Sequence, residues 1–323
     1  MNEQENLDQL ITVFGGSGFL GRHVVRALAK RGYRIRVAVR RPDLATHLQP
    51  LGRVGQIHAV QANLRYPGSV AAAVRDSHVV INLVGILFER GRQQFDTVQA
   101  MGAEAVALAA SAHGARLIHV SAIGANEHST SAYARSKAKG EKLVLAAVPG
   151  ATILRPSILF GPEDDFFNKF ASIARFAPAL PLIGGGATRF QPVYVADVAD
   201  AIVKAVEGAT TPGAIYELGG PKVFTFKELM EFVLATVQRK RLLVPVPYFA
   251  ARIKAAFLQF MPKPLLTPDQ VELLRSDCVV SSEAATHNLT LAGLGIAQHS
   301  IEAIVPTYLW RFRKTGQFQG RVA

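Results

Sequence analysis

Tyr133 and Lys137 stand four residues apart in the run SAYARSK at residues 131–137. In a helix that spacing puts both side chains on one face. An ammonium held beside a phenol lowers its pKa and lets it exchange a proton with a bound carbonyl or alcohol. Ser121 closes an apolar run over residues 116–121 and is placed to hydrogen-bond a substrate carbonyl. Tyr133, Lys137 and Ser121 therefore form the candidate catalytic set. Tyr-x-x-x-Lys alone is a common accident, so its weight depends on what surrounds it.

What surrounds it is a nucleotide-binding pattern. Residues 11–14 are an apolar run suited to a buried parallel strand, Gly15, Gly16, Ser17 and Gly18 turn the chain, and residues 22–31 read as an amphipathic helix. A second strand over 35–39 ends on Arg40 and Arg41. Glycines at 15, 18 and 21 in that strand–turn–helix–strand context suit a pyrophosphate at a helix N-terminus. An acidic residue at the end of the second strand would accept from a ribose 2′-hydroxyl, whereas arginine suits a 2′-phosphate. Arg40-Arg41, with no carboxylate before Asp43, reads as NADP(H) in preference to NAD(H). The plainer alternative is a pair of solvated arginines.

The alternation continues. Strands are expected over 56–61, 78–84, 116–121 and 151–154, and helices over 69–75, 95–113 and 132–147. This argues for an α/β fold with a doubly wound, mostly parallel sheet, whose ligands lie beyond the carboxyl ends of the strands. Arg40, Arg41, Asn63, Leu64, Gly85, Ser121 and Pro156 all fall at such ends. With Gly15, Ser17, Gly18, Phe19, Leu20 and Gly21 of the loop, and Tyr133 and Lys137, they make up the candidate cofactor contacts. Residues 1–160 read as mainly a dinucleotide-binding domain. Residues 161–323 read as a small lobe with a basic tail, interleaved with the first in one compact unit. In that lobe, helices are expected over 195–207 and 225–238, the second with Thr225 and Glu228 as a capping box.

Glycines 15, 18 and 21, the Tyr133–Lys137 pair and the run RPSILFGPEDDFF at residues 155–167 resemble the extended short-chain dehydrogenase/reductase family. YARSKAKGE at 133–141, QPVYVADV at 191–198 and YLWRFRK at 308–314 are similar to an atypical branch of it, that of NADPH-binding accessory subunits of respiratory complex I and their bacterial relatives. The resemblance covers nearly the whole chain. It implies a Rossmann fold and a bound NADPH that serves as a structural group, beside quinone chemistry at a membrane. It also implies that Gly15, Gly18 and Gly21 hold pyrophosphate, Arg40 and Arg41 the 2′-phosphate, and Tyr133 and Lys137 the nicotinamide ribose. Two positions depart from the family pattern. Ala122 and Ile123 stand where extended reductases carry the hydroxyl that assists the tyrosine, and Asn63 stands where many relatives have aspartate beside adenine.

Composition narrows the classes. The chain has 323 residues, 49% hydrophobic and 19% charged, as in a globular protein. A single cysteine, Cys278, excludes a disulfide framework and a cysteine metal site, and the nine histidines show no metal-ligand spacing, so no metal is expected. A net charge of +12 fits an anionic partner. No nucleic-acid motif accompanies it, so nucleic acid ranks last. Residues 308–323 carry Arg311, Arg313, Lys314 and Arg321 without an acid. Residues 248–261 read as an amphipathic helix with Phe249, Ile253, Ala256, Phe257 and Phe260 on one face. Such stripes usually pack into the parent core; the sharper reading is an interfacial helix at an anionic membrane.

The polar N-terminus resembles no targeting signal, and no apolar run approaches a bilayer span. The expected location is cytoplasmic, or peripheral on the inner face of the membrane. Two readings remain open. One is an accessory-type NADP(H)-binding protein associated with complex I or quinone metabolism. The other is an active oxidoreductase with Tyr133 as acid/base. A nucleotide-sugar epimerase would need a sugar-nucleotide cleft that nothing in the sequence specifies.

Overall fold

The computed structural model describes residues 6–262, 264–314 and 316. The chain forms two compact units whose segments alternate along the sequence: Met1–Pro156, Ala196–Leu218 and Ser282–Ile296 in the first, and Ser157–Val195, Gly219–Ser281 and Ala297–Ala323 in the second.

The first unit is a doubly wound α/β structure. Its strands are β1 (Leu10–Phe14), β2 (Arg34–Val39), β3 (Ile57–Gln61), β4 (Val79–Asn82), β5 (Arg116–Val120), β6 (Thr152–Pro156) and β7 (Ile215–Leu218). They pair in the order β7-β6-β5-β4-β1-β2-β3, all parallel. Both faces are covered, so β1 and β4 are buried at every position. The covering helices are α1 (Phe19–Lys30), α2 (Pro67–Val74), α3 (Met101–Ala112), α4 (Ala132–Ala147) and α5 (Val195–Val206), the last belonging to this unit from Ala196 on. Six of the seven strands coincide with the expected ones to within a few residues. The seventh, β7, was not expected. Its four residues include Glu217, which lies 3.6 Å from Arg155 on the neighbouring strand, so a carboxylate interrupts the apolar run that marks the others.

Two helices differ from expectation. α1 opens at Phe19, directly after Gly18, and not at Arg22. The expected helix over 95–113 is split into a π turn at Asp96–Ala100 and α3. Glycines on either side accommodate that turn. A Cβ at Gly140 would stand 2.5 Å from the Gln99 carbonyl oxygen, and one at Gly102 would stand 3.0 Å from the Leu64 side chain.

The second unit is built from short strand pairs, 159–160 with 193–194, 189–190 with 224–225 and 179–183 with 242–246. Its helices Phe167–Phe176 and Phe226–Thr236 pack a core of Phe160, Phe167, Phe190, Phe226, Ile301 and Leu309. The Thr225–Glu228 capping box is present as expected. Asp164 is buried and accepts from Tyr308 Oη at 2.5 Å and from the N–H of Phe167 at 2.6 Å. That pair ties the basic C-terminal run to the start of helix Phe167–Phe176. Arg311 donates to the Pro162 carbonyl and Arg313 to that of Thr236, so their charges meet carbonyls of their own unit. Arg321 lies outside the described residues.

Candidate functional site

At the end of β1 the chain turns through Gly15 at φ +78°, a conformation that a side chain would strain. Its N–H donates to the Ala38 carbonyl of β2, and its own carbonyl accepts from Gly18 N at 3.0 Å. A Cβ on Gly21 would stand 2.3 Å from the Gly15 carbonyl oxygen and 2.6 Å from the Gly16 main chain. Glycine at 21 thus lets α1 start against the loop. Gly18 caps that helix without a side-chain hydrogen bond, and the first turn holds no acid. The N–H groups and positive dipole end of α1 are left for an external anion.

The loop forms one wall of a cleft of about 280 Å³, lined by Gly15, Ser17 and Gly18, by Arg40 from the end of β2, by Asn63, Leu64 and Arg65 after β3, and by Gly85 and Ile86 after β4. The two adjacent arginines part ways. Arg40 lines the cleft and makes no hydrogen bond or ion pair among the described residues. Arg41 is held bidentately by Asp43, Nε to Oδ1 at 3.0 Å and Nη2 to Oδ2 at 2.7 Å, which raises the arginine's pKa and lowers that of the aspartate. Both partners of that pair are exposed, so it is weak and exchangeable. Asn63 accepts from Arg65 N through Oδ1, which leaves its amide N–H₂ as the donor toward the cleft. Arg65, which directly follows Asn63-Leu64, lines the cleft as well and carries no motif that marks it in the sequence.

Phe19, Leu20, Gly21, Arg41, Tyr133, Lys137 and Pro156 do not line this cleft. Leu20 and Gly21 are buried under the loop, and Phe19 packs edge-on against His23. Pro156 is buried, with its carbonyl accepting from Ile123 N at 3.1 Å.

Tyr133 and Lys137 lie on α4, which starts at the N-cap Ser131. The half-buried Tyr133 ring meets Phe95 edge-to-face at 5.7 Å, and Lys137 Nζ is 6.0 Å from the centre of the same ring. Lys137 is 5% exposed. Its Nζ donates to the Val120 carbonyl at 3.3 Å and would stand 3.3 Å from a Cβ at Gly85, which places it at the cleft rim. Burial pushes the ammonium down to about 8, against the opposing pull of Glu141. Glu141 itself is clamped by Arg155, Nε to Oε1 at 2.8 Å and Nη2 to Oε2 at 2.6 Å. Arg155 is thus a structural partner and its charge is spent inside the fold.

A buried polar layer surrounds the lysine. His119 Nδ1 meets Asn82 Nδ2 at 3.2 Å, and burial with the nearby Lys137 charge drives the imidazole down to about 3, so it is neutral. Gln99, carried by the π turn, donates to the Ile86 carbonyl at 3.2 Å. Ser121 Oγ, Gln99 Oε1 and His119 Nε2 are buried with no hydrogen-bond partner among the described residues. Unmet buried polar atoms are costly, so these three have hydrogen-bonding capacity that a polar ligand could meet. Ser121, Tyr133 and Lys137 fall in one neighbourhood; Gln99 and His119 join them, and only burial could have revealed those two. The uncapped loop, the unpaired Arg40 and these orphaned atoms together suit an extended dinucleotide. Among the described residues no group of three His, Cys, Asp or Glu side chains is placed to hold a metal.

Comparison with known proteins agrees with this architecture. Residues 11–219 match the model of the NAD dependent epimerase/dehydratase family. The mitochondrial NADH dehydrogenase [ubiquinone] 1 alpha subcomplex subunit 9 of Arabidopsis thaliana is 39% identical over 318 residues, covering 94% of this chain and 78% of that protein. A ceramide reductase of Caulobacter vibrioides is 35% identical over 241 residues, covering 74% of each. A UDP-glucose 4-epimerase from Thermotoga maritima shares the fold at a TM-score of 0.70 and 19% identity, covering 96% of this chain and all of that one. The chain belongs to the NAD dependent epimerase/dehydratase family of extended short-chain dehydrogenases/reductases.

Proposed function

We propose that this chain holds NADP(H) in the cleft beside α1 and serves as an accessory-type member of its family, at the quinone side of respiratory metabolism. The observation that carries the cofactor choice is Arg40, a cleft-lining guanidinium without a partner among the described residues. A 2′-phosphate offers the bidentate acceptor that such a group lacks. In this reading Gly15, Ser17, Gly18 and Gly21 shape the pyrophosphate seat, with Phe19 and Leu20 setting the first turn of α1. Asn63 and Leu64 bound the adenine, Gly85 and Pro156 border the nicotinamide end, and Lys137 and Tyr133 take the ribose. Arg41 contributes to the 2′-phosphate by exchanging Asp43 for it.

The similarity to the mitochondrial NADH dehydrogenase [ubiquinone] 1 alpha subcomplex subunit 9 along 94% of the chain supports the accessory role. So does the absence of a hydroxyl at Ala122 and Ile123. Ser121, the one hydroxyl left in that motif, is buried.

A second reading has its own support in the intact Tyr133–Lys137 pair and the ceramide reductase relative. When bound, NADPH supplies a hydride. This chain's own part in carbonyl reduction would be to donate the Tyr133 phenol proton to the carbonyl oxygen, with Lys137 holding the phenol acidic and Ser121 orienting the carbonyl.

One experiment separates the two. The purified protein is analysed for co-purifying dinucleotide, and quinones and lipid ketones are offered to it. Tightly held NADPH that no acceptor oxidises supports the accessory role. Rapid oxidation that disappears in Tyr133→Phe establishes the reductase.

A further inference from the structure

The helix Tyr248–Leu258 in the second unit is packed inside out. Its small residues face inward: Ala251 and Ala255 are buried against Ile183 and Val271. Its large ones face outward. Phe249 is 69% exposed, Ile253 58%, Phe257 75% and, just past the helix end, Phe260 83%. Met261 and Leu265 extend the exposed apolar surface. At about 100° per residue, positions 249, 253, 257 and 260 fall within roughly a quarter-turn of one another. This corrects the usual expectation that such a stripe joins the parent core.

The flanks of that face are basic. The helix and its end, residues 248–261, carry Arg252 and Lys254 and no acid. On the helical wheel Arg252 falls on one side of the apolar stripe and Lys254 on the other. Arg252 leans toward Glu272 at 3.7 Å, while Lys254 is exposed. Arg241 is fixed beneath by the Ala174 carbonyl. Among the described residues no helix is long and apolar enough to cross a bilayer, so an occupant must be met from outside.

We propose that this face docks the protein onto an anionic phospholipid surface, with Phe249, Ile253, Phe257 and Phe260 entering the headgroup–acyl boundary and Lys254 and Arg252 meeting lipid phosphates. Exposed aromatic and aliphatic side chains bordered by basic groups are the composition of an interfacial helix. A second copy of the chain fits poorly. A two-fold contact through this face would set its basic flanks against each other, and the neighbouring acid Glu272 is already engaged by Arg252 and Arg275. The proposal goes beyond the cofactor reading and does not depend on it.

The test uses the full chain and vesicles of phosphatidylcholine with 30% phosphatidylglycerol, in about 0.1 M salt. Sedimentation with these vesicles is expected, with at least tenfold weaker binding to pure phosphatidylcholine. Phe257→Glu with Phe260→Glu should weaken binding at least tenfold, and Lys254→Glu severalfold. Thermal unfolding and NADPH retention, measured on the same samples, should not change. A wild-type protein that stays in the supernatant overturns the proposal. Equal binding by the double variant also overturns it, as does a concentration-dependent dimer that Phe257→Glu dissociates. Loss of NADPH binding in the wild type would count against the cofactor reading alone.

Discussion

The loop at α1 and the outer face of helix Tyr248–Leu258 are both unfinished surfaces, and they are unfinished in opposite ways. Around the loop, what lacks a partner among the described residues is polar: the uncapped N–H groups of α1, Arg40, Ser121 Oγ, Gln99 Oε1 and His119 Nε2. On the helix the polar groups are solvated, and what lacks cover is apolar. Unmet hydrogen-bonding capacity calls for a ligand of defined shape, because each bond is directional and each omission costly. Uncovered apolar area calls only for a surface, because burial is non-directional. The first region fits the proposed dinucleotide, and the second fits the proposed lipid surface.

The contrast can be broken most strongly at Gly21. Gly21→Ala forces a Cβ to 2.3 Å from the Gly15 carbonyl oxygen, and it should cost about 3 kcal/mol in urea unfolding, the upper range for overpacking. Gly18→Ala is the matched control. Its Cβ meets only the Gly15 carbonyl oxygen at 3.3 Å, so stability should hold within about 1 kcal/mol while dinucleotide affinity falls. Equal destabilisation by both would show that the loop is only a packing element.

Lys137→Met tests whether the polar region trades stability for ligand capacity. The ammonium's folded pKa of about 8 lies below the ordinary 10.5. The charged form is therefore penalised in the folded state at pH below 8, and the penalty fades as pH rises to 10.5. The variant should be more stable at pH 7 by up to about 3 kcal/mol, with the gain vanishing near pH 10, and should bind dinucleotide worse. A loss of stability at pH 7 would contradict this.

His119 predicts the acid limb. Its folded pKa of about 3 lies below the ordinary 6.5. Between those values the unfolded chain binds the extra proton, and stability falls with falling pH by up to about 1.4 kcal/mol per unit. His119→Gln should flatten that limb by one proton, as read from unfolding midpoints between pH 6.5 and 4. The smallest effect belongs to the other region. Phe257→Glu should alter unfolding free energy by no more than about 0.5 kcal/mol, since the side chain packs on little.

Much of the first unit was legible. Continuous apolar runs and loop glycines mark β1 to β6 and α1, because a parallel sheet covered on both faces tolerates few polar residues. β7 escaped because Glu217 turns toward Arg155, a partner 62 residues away in the chain. The π turn escaped because the 95–113 pattern is helical throughout, and the close approach of Gly140 to Gln99 is a tertiary contact that the pattern does not carry. At the site, residue type and spacing pointed to Gly15, Gly18, Arg40 and Asn63, which do line the cleft, and to Tyr133 and Lys137, which do not. They could not separate Arg40 from Arg41, which the exposed Asp43 does, nor find His119 and Gln99, whose meaning lies in burial. Periodicity identified the stripe at 249–260. It is silent on which face meets water, and here the alanines decided.

The central claim is that Arg40 makes the cleft selective for a 2′-phosphate, and calorimetric titration of NADPH and NADH into the dinucleotide-free protein tests it most directly. The wild type should bind NADPH at least tenfold more tightly, and Arg40→Ala should bring the two affinities close together by weakening NADPH alone. Equal affinities in the wild type, or an unchanged preference in the variant, would contradict the account.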